Sequence, residues 1–309
     1  MGVMTEPIAY LNGHFVSARE AVIPATDAGF VMGITVSEQL RTFRGKLFRM
    51  DDHWRRLARS LEIVGTTPPD SLAELSFAAE QVTKHNSTLL QPGDDLGLVI
   101  ALTPGSFGTF ARTANDGPTT VIHSYPLPFT RWTSTIQTGM SLRIAPQRQI
   151  SPASWPAELK CRSRMHYHLA DLWAEAQEPG ARALLLDESG HVNETSAANI
   201  AIVIRNRMIH PPREQILPGV SLQVTKELAT ARGFVCEERP IHPNELLEAD
   251  EIVATSTTFC ILAVTRIDGQ SIGTGKPGAF FGEMSAAWSE LTGVNLAAQA
   301  QRAMLFVKQ

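Results

Sequence analysis

Apolar and polar positions change rhythm along this chain, and the rhythm marks out the elements. Tyr10-Leu11 and Phe15-Val16 flank an Asn12-Gly13 turn, which predicts a hairpin over residues 9–16. A second strand pair is predicted at 35–43 and 46–49, joined at Arg44-Gly45. Trp54, Leu57, Leu61 and Val64 recur at helical spacing, so a helix is expected there, capped by Asp51 or Asp52 and stopped by Gly65. Another helix is expected over 71–84, then strands at 96–102 and 119–123. Tyr125-Pro126-Leu127-Pro128 cannot continue a central strand, because each proline removes a backbone donor, and is read as the linker between domains. The second half mixes a helix over 164–177, a strand at 183–186, a turn at Glu188-Ser189-Gly190 and a strand at 200–204. A helix over 222–232 and short strands at 235–238 and 251–254 follow. The pattern is α+β with antiparallel pieces. No strand runs into GxGxxG and a helix, so a Rossmann nucleotide site is not expected.

At 309 residues the chain exceeds what one core usually serves. The expected organisation is a smaller N-terminal α/β domain at 1–124, a linker at 125–135 and a larger domain at 136–309. Hydrophobic residues at 43% and charged residues at 19% describe an ordinary globular chain, and a formal net charge of -4 without a basic block argues against nucleic acid as a partner. Arg55, Arg56 and Arg59 share their segment with Asp51, Asp52 and Glu62. Cys161, Cys236 and Cys260 are widely spaced and odd in number, the mark of reduced thiols rather than a disulfide framework or zinc site. No secretory signal and no membrane span are read, so a cytoplasmic location is expected.

The candidate chemistry is concentrated in four places. Lysine is scarce, and Lys160 alone stands at a junction before a helix with apolar positions, where a partly apolar setting would disfavour the ammonium and leave a nucleophilic amine. By position alone, a surface ion pair with Glu158 is the commoner use of such a lysine. Glu194 precedes four small residues in Val192-Asn193-Glu194-Thr195-Ser196-Ala197-Ala198-Asn199, leaving room for a flat ligand whose protonated ring nitrogen a carboxylate can pair. Leu217-Pro218-Gly219-Val220-Ser221 opens a helix; Ser221 reads as its N-cap, and the first-turn N–H groups suit a phosphate. Thr255-Ser256-Thr257-Thr258 follows a strand with further hydroxyl and N–H donors.

In this order the motifs resemble the class IV aminotransferases, fold type IV of the pyridoxal phosphate enzymes. That family includes branched-chain and D-amino acid aminotransferases, amine transaminases and aminodeoxychorismate lyase. The resemblance runs from Tyr10-Leu11-Asn12-Gly13-His14-Phe15 to Ile267-Asp268-Gly269 and beyond. It implies a two-domain fold with a pseudo-barrel of strands in the larger domain. It also implies pyridoxal 5'-phosphate as cofactor, Lys160 as the Schiff-base lysine and proton carrier, and Glu194 beside the pyridine nitrogen. Arg56, in Asp52-His53-Trp54-Arg55-Arg56, is implied as a phosphate ligand, completed by Val220, Ser221, Ser256 and Thr257. Arg164 or Tyr167 would approach the ring hydroxyl. A homodimer is implied as well.

Departures from the family pattern bear on substrate. Where relatives place an aromatic residue in the early strand, this chain has Ser37, with Gln39 and Arg41 on the same alternation, which argues against a standard branched-chain pocket. Arg112 is a candidate carboxylate ligand in the loop after residue 102. The run Cys161-Arg162-Ser163-Arg164-Met165-His166-Tyr167-His168 is basic; its arginines are either solvated charges or contacts to a substrate carboxylate or partner subunit. His166 and His168 face different sides of a helix, so no metal site is expected there. The reaction expected is amino transfer from an amino acid to a 2-oxo acid through Lys160. The alternative is an aminodeoxychorismate-type lyase that releases pyruvate and needs no acceptor.

Overall fold

The computed structural model describes residues 5–108 and 117–306; Arg112 lies outside them. The chain divides into two compact units, one of Met1–Leu127 with Leu159–Ser163, the other of Pro128–Glu158 with Arg164–Gln309.

The first unit is an antiparallel sheet with helices on one face. The expected hairpin forms as β1 (Ile8–Leu11) and β2 (His14–Ser17), with Asn12 and Gly13 at positive φ in its turn. A single helical turn, α1 (Ala28–Val31), is capped by Asp27, whose carboxylate accepts from Gly29 N at 2.7 Å. Next come β3 (Val36–Phe43), β4 (Lys46–Leu47), α2 (Met50–Val64), α3 (Leu72–Ser87), β5 (Leu96–Thr103) and β6 (Thr119–Pro126), giving the sheet order β2-β1-β6-β5-β3-β4. Helix α2 begins one residue before the expected caps. Arg49, at φ 51, is its N-cap, and Asp51 and Asp52 lie in the first turn, where negative charge suits the dipole. Gly65, at φ 66, ends it as expected. Ser71 caps α3 through a capping box: its Oγ accepts from Glu74 N, and Glu74 accepts from Ser71 N.

Strand β6 runs further than its prolines suggested, pairing Tyr125 with Gly97 and Pro126 with Leu96. Its other neighbour, β1, reaches only Ile122 and Val121, so at Pro126 the strand is an edge and the missing N–H breaks no ladder. Alternation then divides the faces. Val36, Leu40, Leu98, Ile100, Leu102 and Ile122 are buried beneath Trp54, Leu57 and Leu61 of α2 and Leu75, Ala79 and Val82 of α3. The opposite alternation presents Ser37, Gln39 and Arg41.

The second unit is built on a closed barrel. It contains α4 (Thr133–Thr138), β7 (Met140–Arg148), α5 (Met165–Gln177), β8 (Arg182–Leu186), β9 (Val192–Thr195), β10 (Asn199–Ile204) and β11 (Arg207–His210). These are followed by α6 (Val220–Ala231), β12 (Val235–Glu238), α7 (Glu245–Glu248), β13 (Glu251–Ser256), β14 (Cys260–Ile267), β15 (Gln270–Ser271), α8 (Ala279–Thr292) and α9 (Leu296–Phe306). Its strand path is β12-β11-β10-β13-β14-β7-β8-β9, and a further β9–β10 pairing of Glu194 with Asn199 closes six of these strands on themselves. Closure removes exposed edges. The interior is filled by Leu142, Leu184, Ile200, Ile202, Ile252, Ala254 and Val264. The α+β class with a C-terminal barrel is therefore the observed fold. Ser221 is not the cap of α6: Gly219 is, without a side-chain cap bond, and Ser221 sits buried inside the first turn. A Cβ on Gly219 would stand 2.0 Å from Asn199 Oδ1, so only glycine allows this approach of the helix to β10.

Candidate active site

Lys160 belongs to the first unit, on a segment that pairs with the start of β3. Ser37 N donates to Lys160 O at 2.9 Å, Arg162 N donates to Thr35 O at 2.9 Å, and Cys161 is bridged to Val36 between them. Lys160 N donates to Ser60 Oγ of α2 at 3.2 Å, and Leu159 packs on the core beneath. The backbone of the candidate nucleophile is thus held on both sides.

Arg56, on α2, is buried and faces β3. Its Nε donates to Glu38 Oε2 at 2.9 Å and a terminal nitrogen donates to Glu38 Oε1 at 2.6 Å. His53, one helical turn before, lies with Nδ1 at 3.0 Å from the same Oε1. Burial acts to raise the Glu38 carboxyl, but the Arg56 charge and the contacts with His53 and Arg56 outweigh it and hold the group well below the usual carboxylate range. Burial lowers the His53 imidazole despite its acidic neighbour. A neutral ring beside an ionised carboxylate must place its proton on Nδ1. Sequence reasoning named Arg56 without Glu38 or His53. The clue was a glutamate on the core-facing alternation of β3, between Val36 and Leu40, where an unpaired carboxylate is costly.

Of the early-strand candidates, Ser37 is buried at the Lys160 pairing and Gln39 is half-buried, its amide donating to the Tyr125 hydroxyl. Arg41 is only 2% exposed: its guanidinium lies 4.0 Å from the Phe43 ring centroid, donates to Thr42 O at 3.1 Å and stands 3.9 Å from Asp95.

In the second unit the polar cluster centres on Glu194, which is 7% exposed at the end of β9. Oε1 accepts from Tyr167 Oη at 2.6 Å and Gln149 Nε2 at 2.9 Å, while Oε2 accepts from Asn199 Nδ2 at 3.0 Å and Leu217 N at 3.2 Å. Burial and the adjacent Glu194 charge push the Tyr167 phenol well above its ordinary value, so it remains a donor. The His166 ring, 2.9 Å from Gln149 Oε1, is lowered to about 4 by burial and by Arg164. Arg164 bonds Ser196 O and lies 4.6 Å over the Tyr167 ring, so both of these candidates flank Glu194. Asn199 links the cluster to the start of α6, donating to Leu217 O at 2.9 Å. It also pairs across the ladder with Thr255 of β13, one residue before Ser256 and Thr257. Gln149 and Asn199 were given no role from sequence; Gln149 reaches Glu194 from 45 residues away, whereas Asn199, five residues on, meets it through the β9–β10 pairing.

The chain as a whole matches a known family. Residues 19–267 match the model of the amino-transferase class IV family. The chain belongs to the class IV aminotransferases. It is 30% identical to D-alanine aminotransferase of Bacillus licheniformis over 270 residues, covering 86% of this chain and 90% of that protein. Its fold is that of branched-chain amino acid aminotransferase from Escherichia coli, at a TM-score of 0.85, 21% identity and coverage of 93% and 95% of the two chains. A Thermus thermophilus branched-chain amino acid aminotransferase, whose structure is a complex with N-(5'-phosphopyridoxyl)-L-glutamate, superposes at a TM-score of 0.82 with 21% identity and the same coverage. Class IV aminotransferases are transaminases that depend on pyridoxal phosphate and act on amino acids and 2-oxo acids.

Proposed function

We propose that this class IV aminotransferase moves an amino group from an amino acid to a 2-oxo acid with pyridoxal 5'-phosphate held covalently on the Lys160 Nζ. The observation that carries the reading is Glu194: a buried carboxylate, fixed by donors from four separate stretches of the chain, suits a protonated ring nitrogen.

The donors in the second unit also fit the phosphate. The N–H groups of Val220 and Ser221 open α6 and have no intrahelical acceptor. Thr255 Oγ1 is buried without a hydrogen-bond partner, at the end of the strand that leads into Ser256 and Thr257. Val220, Ser221, Ser256 and Thr257 would hold the phosphate, with Arg56 supplying charge. When bound, the cofactor supplies an electron sink and carries the amino group between two half-reactions. Lys160 Nζ takes and returns the substrate proton, Glu194 keeps the ring nitrogen charged, and Tyr167 or Arg164 steadies the ring hydroxyl.

Other parts of the reading have their own support. A homodimer is favoured by the exposed Met165, Leu169 and Leu172, which follow one face of α5. Three free cysteines suit a cytoplasmic setting, and no helix among the described residues is long and apolar enough to cross a membrane. The test is turnover with D- and L-amino acid donors and pyruvate or 2-oxoglutarate as acceptor. Product formation that requires both partners, with ping-pong kinetics, is expected. Release of pyruvate from an amino-bearing substrate without any acceptor would overturn amino transfer in favour of a lyase.

A further inference from the structure

The sheet of the first unit has a second face, and its composition differs from that of the core. Opposite residues of an antiparallel ladder share a face. Gln39 lies opposite Val99, which lies opposite His123; Arg41 lies opposite Gly97, which lies opposite Tyr125. Ser37, Gln39, His123 and Tyr125 therefore line the face turned away from α2 and α3. Gly97 is required in the middle of it: a Cβ there would stand 2.3 Å from the Tyr125 ring. The glycine lets that ring lie over the sheet and meet the Gln39 amide.

The Lys160 segment contributes to the same face. Cys161 is bridged to Val36, a residue of the helix-covered core, so its neighbours Lys160 and Arg162 project on the opposite side. Both flanking hydrogen bonds of the bridge are present, which fixes the segment as extended. The Arg162 charge reaches both rings of the face, lowering the His123 imidazole after burial has done so more strongly, and offsetting part of the rise that burial imposes on the Tyr125 phenol. A cation with an exposed side chain, a phenol, an amide and a neutral imidazole thus share the sheet face that carries the candidate Schiff-base lysine.

We propose that Arg162, with Gln39, His123 and Tyr125, binds a carboxylate of the substrate. Two residues apart on an extended strand, Lys160 and Arg162 have Cα atoms about 6.6 Å apart on one side. One small amino acid spans that distance, with its reacting carbon at Lys160 and its carboxylate at Arg162. The forked guanidinium offers a bidentate pair, and neutral amide and phenol donors complete the oxygens' coordination. Such a set favours acids over neutral amines. This inference rests on Lys160 being the covalent attachment point.

The experiment is calorimetric titration of the holoenzyme with three unreactive probes: pentanoate, glutarate and pentanamide. Arg162→Ala is expected to weaken acid binding at least about tenfold, the loss of a charge-assisted pair, and to leave pentanamide unchanged. Arg162→Lys restores part of the affinity, and Tyr125→Phe costs a few-fold. A loss for both acids identifies the carboxylate next to the reacting carbon; a loss for glutarate alone identifies a side-chain carboxylate. Acid affinities in Arg162→Ala equal to wild type overturn the proposal. Failure of the cofactor reading shows differently: Lys160→Ala would then keep a borohydride-sensitive absorbance band, whatever the acids do.

Discussion

Replacing Glu38 by alanine tests the energetics of the first unit most sharply. The carboxylate is fully buried, takes two hydrogen bonds from Arg56 at 2.9 and 2.6 Å, and lies 3.0 Å from His53 Nδ1. Its removal leaves a guanidinium with 8% side-chain exposure without the carboxylate it was folded around. Breaking one side of a buried pair costs about 3–5 kcal/mol, most of it the stranded charge, against about 0.2–1 kcal/mol for an exposed pair. The exposed pair Arg59–Glu62 on the same helix, with side chains 47% and 71% exposed, is the internal control; Glu62→Gln is expected to cost no more than about 0.5 kcal/mol. The assay is urea unfolding together with hydrogen exchange of the β3 amides, which reports opening of this unit alone. The double variant Glu38→Leu with Arg56→Met should recover most of the loss, because it strands no charge. The pH sign follows from the depressed carboxyl: its stabilisation is present above the unfolded glutamate value and is lost as acid protonates the folded group. A Glu38→Ala cost below about 1 kcal/mol, in the range of surface pairs, would refute the reasoning.

Two further outcomes are expected. Gly97→Ala must displace the Tyr125 ring, so it should cost about 1–3 kcal/mol by overpacking and weaken acid binding, while Gly282→Ala on α8, with open space around its Cβ and ordinary helical backbone, should not touch the site. Binding of the three probes and urea unfolding measure both. His166, lowered to about 4, opposes protonation in the folded state, so its contribution is intact above the unfolded value near 6.5 and falls as pH drops from there towards 4. The difference in unfolding free energy between wild type and His166→Gln should therefore change across that window and be flat above it; a flat difference throughout contradicts the burial of that ring.

What the sequence made legible follows from what is local. Helix α2 announces itself through Trp54, Leu57 and Leu61 on one stripe and Gly65 at its end, and α3 through the Ser71–Glu74 capping box. Strand β14 gave no such signal: Cys260–Ile267 is buried at nearly every position, and an apolar run without alternation looks the same as a buried helix. Strand β7 contains Pro146, which speaks against a strand until its neighbours are known. In the site, Lys160, Arg56 and Glu194 stood out because their neighbours in sequence form motifs. Glu38 and Gln149 did not, since their partners lie 18 and 45 residues away, while Asn199 sat inside the Glu194 motif but shows its role only once β9 and β10 pair. Ser221 was misread as a cap because a serine after Gly-Val resembles one; close approach to Asn199 instead makes Gly219 the turning point.

The most direct test of the whole account is an absorbance spectrum of the purified protein with pyridoxal 5'-phosphate, before and after borohydride, for wild type and Lys160→Ala. The account predicts a near-visible band in wild type that borohydride abolishes and that amino donors bleach, with no such band in Lys160→Ala. A band of equal strength in the variant, or none in wild type with excess cofactor, would contradict Lys160 as the residue on which this aminotransferase works.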